Sequence, residues 1–146
     1  MRTYIPFTSD DEIAAIAHGL RDRTLPKPAW THAAHFASAL WLLARCPELD
    51  YFREMPNTIR AYNEATGVAN TDTSGYHETI TMASLRAVRA LLVEDPARPL
   101  FITCNALLSS PLGKSSWLLA YWSRSRLFSV EARRAWLDPD LEVFPF

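Results

Sequence analysis

The stretch Trp30-Thr31-His32-Ala33-Ala34-His35-Phe36-Ala37-Ser38-Ala39-Leu40-Trp41-Leu42-Leu43-Ala44-Arg45 decides how this chain is read. Phe36, Ala39, Leu40 and Leu43 recur at three- and four-residue intervals, the spacing at which side chains share one face of a helix. Thr31 is a favourable N-cap, and Pro47 stops the helix just past Arg45. His32 and His35 carry the same face into the first turn. An apolar helix that opens on two imidazoles is both a core element and a candidate site.

The same period extends in both directions from this stretch. Upstream, Ser9 and Glu12 have the spacing of a capping box. They open a helix over 10–22 with Ile13, Ile16, Ala17 and Leu20 on its buried stripe, and Leu25-Pro26-Lys27-Pro28 ends it. Downstream, a third helix is predicted over 47–66, with Pro47 in the first position and Gly67 just past the end. Pro56 is expected to kink or split it. A polar loop, 68–75, leads to a fourth helix over 76–93, whose stripe is His77, Ile80, Ser84, Val88 and Leu91. Helices over 100–109, 115–124 and 130–137 follow, the last capped by Ser129. The tail, 138–146, has no period but ends in apolar residues, so it is expected to pack back as an extended strap. With only four Gly, the chain lacks the turns of an all-β protein. The prediction is an all-α single domain, 1–146, of about six helices around a four-helix core.

Composition limits the function classes. The 146 residues fit one domain, and 49% apolar with 21% charged residues is the balance of a soluble globular protein. Fifteen basic residues against sixteen acidic give a formal charge of -1. That argues against nucleic-acid and anionic-membrane partners, whose binding surfaces need a basic excess. Cys46 and Cys104 lack zinc-knuckle spacing and read as buried reduced thiols. Residues 1–10 do not resemble a signal peptide, and the longest apolar run, 33–44, is too short to span a bilayer. A cytoplasmic, bacterial-type protein is the expectation.

Topology suggests where chemistry would sit. Short connections make successive helices antiparallel, so the second and fourth helices should start at the same end. His32, His35 and His77 would then meet. The end of the third helix would bring Tyr62, Asn63 and Glu64, and the 68–75 loop would lay Asp72 over the top. Imidazoles in first helical turns lie in the positive end of the helix dipole, which favours the neutral form. Neutral imidazole binds metals and acts as a general base.

One reading is therefore a zinc or iron site of His32, His35 and His77. Glu78 would serve as a further ligand or acid/base, with Tyr76 beside it. A second is a metal-free pocket in which Trp30, Tyr62, Asn63, Asp72, Tyr76 and the histidines hold a small polar or aromatic molecule. A third is structural: Trp30 staples onto His35, and the imidazoles bond to loop carbonyls. A homodimer through Trp117, Tyr121 and Trp122 is also considered. The residues leave open whether the protein is an enzyme.

The motifs Trp30-Thr31-His32-Ala33-Ala34-His35, Ala61-Tyr62-Asn63-Glu64 and Gly75-Tyr76-His77-Glu78-Thr79 resemble those of a family of small bacterial all-helical proteins. The run from Ser123 to Ser129 and the segment Trp136-Leu137-Asp138-Pro139-Asp140-Leu141 resemble it too. The resemblance spans nearly the whole chain and implies a helical fold. No reaction is assigned to that family, so it implies no activity. A looser likeness is to the DinB/YfiT-like four-helix proteins, which hold a metal with three histidines. There a single histidine precedes a closely spaced pair, whereas here the pair comes first.

Other constellations are weaker. Gly113-Lys114-Ser115 lacks the upstream glycine and the preceding strand of a phosphate loop. Ser109, Ser110, Ser115 and Ser116 have no histidine near them in sequence. Arg124, Arg126, Arg133 and Arg134 are offset by Glu131, Asp138 and Asp140, and read as a solvated face. Arg124 or Arg126 would meet a ligand carboxylate only if its helix borders the histidine end.

Overall fold

Side-chain caps fix where the helices begin. In the computed structural model, which describes residues 4–146, Ser9 accepts from the Glu12 amide and opens α1 (Asp10–Asp22). Thr31 accepts from the Ala34 amide and opens α2 (His32–Arg45). Three further helices complete the body: α3 (Tyr51–Ala65), α4 (Glu78–Glu94) and α5 (Leu100–Ser109). Ser123 and Ser129 cap two short ones, α6 (Arg124–Leu127) and α7 (Val130–Arg134). Single 3-10 turns occur at Lys27–Ala29, Pro111–Gly113 and Trp117–Ala120, and no strand is present among the described residues. The chain is all-α, as its period predicts. None of these helices is long and apolar enough to cross a membrane.

Helix α2 is the centre. It packs on α1, α3, α4 and α5. Ala34, Phe36, Ala37, Ser38, Ala39, Leu40 and Leu42 are all buried along it. Its alanines let neighbours approach on several sides, which an amphipathic stripe alone would not allow. Ser38 is the one buried polar residue in this set, and its hydroxyl donates to the His35 carbonyl at 3.0 Å.

Helix α4 starts at Glu78 rather than residue 76, and α7 ends at Arg134 rather than residue 137. Three larger differences from the sequence prediction have local reasons. Helix α3 starts at Tyr51 rather than Pro47. A turn from Cys46 to Leu49 intervenes, and the Tyr51 hydroxyl meets the Leu42 and Cys46 carbonyls that end α2. Pro56 neither splits nor ends α3, which runs on to Ala65. The proline is buried, and its missing N–H removes a single rung of the helical ladder. The predicted 115–124 helix is instead a 3-10 turn followed by α6. Asp140 accepts from the Ser123 amide and hydroxyl at 2.7 and 2.6 Å, so the chain restarts at a new cap.

The tail is the expected strap. The Leu141 amide donates to the Tyr121 carbonyl at 2.9 Å, and the Phe144 ring lies 5.2 Å from Trp122 and 5.3 Å from Tyr121.

Burial sets a stability prediction. Leu40 is fully buried, whereas Leu43 is half-buried at the edge of the core. Leu40→Ala should cost about 2–5 kcal/mol in urea unfolding. Leu43→Ala should cost clearly less. Equal losses would contradict this placement of α2.

Candidate functional site

Because α3 stays whole, α2 and α4 start at the same end. Their first two turns share a cavity of about 500 Å³: His32, His35 and Phe36 line it from α2, and Ile80 and Ser84 from α4. The far wall comes from the C-terminal third: residues 115–119, Arg124, Leu127 and Phe128. The condition set by the sequence for Arg124 is therefore met, since it borders the histidine end.

Backbone carbonyls fix what each imidazole can do. His32 Nε2 lies 2.8 Å from the Leu112 carbonyl. His35 Nδ1 lies 2.7 Å from the Thr31 carbonyl. His77 Nε2 lies 2.7 Å from the Leu127 carbonyl. A carbonyl only accepts, so each of these nitrogens carries the hydrogen, and in the neutral ring the other nitrogen is an acceptor. For His77 that acceptor, Nδ1, is used by the Ile80 amide at 3.2 Å, so His77 is the N-cap of α4. Both its nitrogens are satisfied inside the protein. His32 Nδ1 and His35 Nε2 have no protein partner among the described residues.

These bonds bear on the three-histidine metal expectation. The histidines do share an end of the bundle, but His77 is spent on a cap and a strut. Among the described residues no group of three His, Cys, Asp or Glu side chains is placed to hold a metal ion. The donor set does not fit a His32, His35 and His77 centre. The dipole argument also needs a new cause. His35 and His77 are indeed held below the ordinary imidazole value, but burial is the leading reason for both. The Thr31 and Leu127 carbonyls oppose the shifts. His35 keeps solvent access, and water limits the size of its shift.

The other sequence-predicted residues are committed elsewhere. Trp30 stacks on His35, with ring centres 3.8 Å apart, and sits 5.4 Å from Tyr62. That is the staple of the structural reading. The Tyr62 hydroxyl donates to the Leu25 carbonyl at 2.8 Å. Asn63 donates to Asn70 at 3.0 Å, and Asn70 in turn accepts from the Tyr76 amide at 3.0 Å. Asp72 accepts two bonds from Arg134, at 2.8 and 2.6 Å, which ties the 68–75 loop to α7 rather than laying it over a site. The loop closes at Gly75, which has a φ of 77° and leaves no room for a Cβ against the Ala69 carbonyl. Tyr76 is buried, with its hydroxyl donating to Glu78 at 3.1 Å and Arg60 over its ring. Burial raises the Tyr76 phenol well above its ordinary value. None of Trp30, Tyr62, Asn63, Asp72, Tyr76 and Glu78 lines the cavity. Their side chains form a network that supports the walls.

Sequence reasoning passed over Ser115 and Ser116 because no histidine lies near them in sequence. The fold brings both to the cavity lined by His32 and His35. The Leu112 carbonyl that receives His32 belongs to the Pro111–Gly113 turn. Gly113 makes this turn possible, since a Cβ there would lie 1.9 Å from the Leu108 carbonyl. A second cavity, about 570 Å³, borders His32 beside Phe7, Ile16, Ala33 and Leu108. Among the described residues its wall carries no lysine, arginine or carboxylate, and its Tyr4 hydroxyl is already bonded to Asn105 and Ser109.

No protein-family model, curated protein or solved structure matches the chain.

The buried, neutral His77 gives a pH prediction. Its folded value lies below its unfolded one, so the unfolded chain binds more protons, and stability falls as pH drops below about 6.5. His77→Asn keeps an N-cap but removes the titration. Between pH 7.5 and 5.5 the natural chain should lose more unfolding free energy than this variant. Parallel losses would contradict a buried neutral imidazole.

Proposed function

We propose that this protein is a metal-free small-molecule-binding module, with its pocket at the common start of α2 and α4. The observation that carries the reading is the composition of one wall-to-wall cavity. Phe36, Ile80, Trp117, Leu118 and Leu127 supply an apolar lining, while His32, His35, Ser115, Ser116 and Arg124 supply polar groups at its edge. Small-ligand sites have this character: mostly apolar, with a few placed polar groups. Its volume, about 500 Å³, lies within the usual range for such pockets.

The imidazoles support the same reading. Two ring nitrogens are locked by carbonyls into donors, which leaves His32 Nδ1 and His35 Nε2 as fixed acceptors for a ligand N–H or O–H. Carbonyl-fixed tautomers need no reorganisation when a ligand arrives. The histidines thus act twice, as struts that hold the walls and as recognition groups.

The test is a fragment titration followed by protein NMR, on protein purified without a histidine tag. Small neutral aromatics should shift the signals of Phe36, Ile80 and Trp117 together. Ser84→Phe, which places a ring in the cavity, should abolish those shifts without unfolding the chain. A fragment present at a hundredfold its Kd should add about 2.7 kcal/mol to unfolding free energy. Shifts scattered outside the cavity would overturn the proposal. So would one equivalent of tightly bound zinc or iron that is lost in His32→Ala.

A further inference from the structure

Among the described residues Arg124 is the one arginine or lysine that lines the cavity, and no Asp or Glu does. Among the described residues the Arg124 guanidinium makes no ion pair and no hydrogen bond: the ion pairs are Arg45 with Asp10 and Arg134 with Asp72. The neighbouring arginines are used otherwise. Arg126 donates to the Asp138 carbonyl at 2.6 Å, and Arg133 donates to the Gly75 and Tyr76 carbonyls at 3.0 and 3.2 Å. Arg124 is held by contact with an aromatic side chain, its guanidinium carbon 5.7 Å from the centre of the Phe128 ring. A cation–π contact uses none of the guanidinium N–H groups as hydrogen-bond donors to a protein acceptor, so they remain available to a planar anion.

Ligand polarity then has a direction. A carboxylate has only lone pairs to offer, and so do His32 Nδ1 and His35 Nε2 in the neutral rings. An anionic head is repelled from the imidazole side and drawn to Arg124, with the hydroxyls of Ser115 and Ser116 as further donors along the same wall. A single guanidinium matches a monoanion, whereas a phosphate dianion would leave charge unbalanced in a cavity with no second cation. The apolar lining requires a body that benefits from leaving water.

We infer that the cavity takes a small monocarboxylic acid with an apolar, ring-sized body, its carboxylate on Arg124 and its body between Phe36, Ile80 and Trp117. This rests on the pocket reading above and adds the ligand class to it.

Benzoate, benzamide and inorganic phosphate are the probes, titrated into the full chain with binding read from the NMR signals of Phe36, Ile80 and Trp117. Benzamide has nearly the shape of benzoate without its charge. Benzoate should bind at least about tenfold more tightly than benzamide, the worth of one charge-assisted hydrogen bond. Phosphate should leave the three signals unmoved. Arg124→Gln should remove the preference, bringing benzoate affinity down to that of benzamide measured on the same variant. Arg124→Lys should keep part of it, since the charge remains but the planar fork does not. Arg124 is exposed, so neither variant removes a core contact. Equal binding of benzoate and benzamide, or a preference that survives Arg124→Gln, overturns the carboxylate assignment and leaves the pocket reading standing. Failure of both aromatic probes to move the cavity signals overturns the two together.

Discussion

Everything in this fold is arranged around the enclosure of α2. A helix with buried residues at seven of its fourteen positions has no face to spare for solvent over most of its length. It must be surrounded, and α1, α3, α4 and α5 do so. Alanines at 34, 37 and 39 let helical backbones come close, while Phe36, Leu40 and Leu42 fill the space between them. The exception is the first turn, where Thr31 and the imidazoles replace aliphatic side chains. The bundle is therefore closed in its middle and open at one end.

That open end is walled by the C-terminal third of the chain, and polar side chains in the two histidine motifs dock it there. His32 receives the Pro111–Gly113 turn through the Leu112 carbonyl, and His77 receives α6 through the Leu127 carbonyl. Thr79 is buried and donates to the Ala132 and Ala135 carbonyls at 2.7 and 2.9 Å, while accepting from the Leu137 amide at 3.1 Å. Segments of irregular backbone carry polar groups that must be satisfied when they pack on a core. Histidine and threonine at the helix starts meet that need. The same docking brings Arg124, Ser115 and Ser116 to the cavity that His32 and His35 line.

The apolar cluster beneath the strap explains the aromatic-rich end of the sequence. Trp117 faces the cavity and also lies 6.0 Å from Phe144, so one indole joins the pocket lining to the tail. Trp122 is fully buried, and its N–H donates to the Leu137 carbonyl at 2.8 Å. Large rings bury much surface at few points. They hold a segment with little regular structure of its own against the bundle.

The sequence by itself determined the helices before residue 110, apart from where α3 begins, because their signals are local. Ser9 and Thr31 cap, Leu25-Pro26 and Pro47 break, and the three- to four-residue period lies within each segment. That α2 and α4 start together follows from counting antiparallel turns, but the count needed tertiary structure to show α3 unbroken through Pro56. The use of each histidine was decided only by tertiary structure. A ring nitrogen is a ligand, a cap or a strut according to which carbonyl lies within about 3 Å of it. For His32 and His77 those carbonyls are eighty and fifty residues away. The same holds for Arg124, Ser115 and Ser116, which nothing in their own neighbourhood ties to a histidine. Spacing along one helix fixes which side chains share a face. What the face meets depends on long-range packing that no local period encodes.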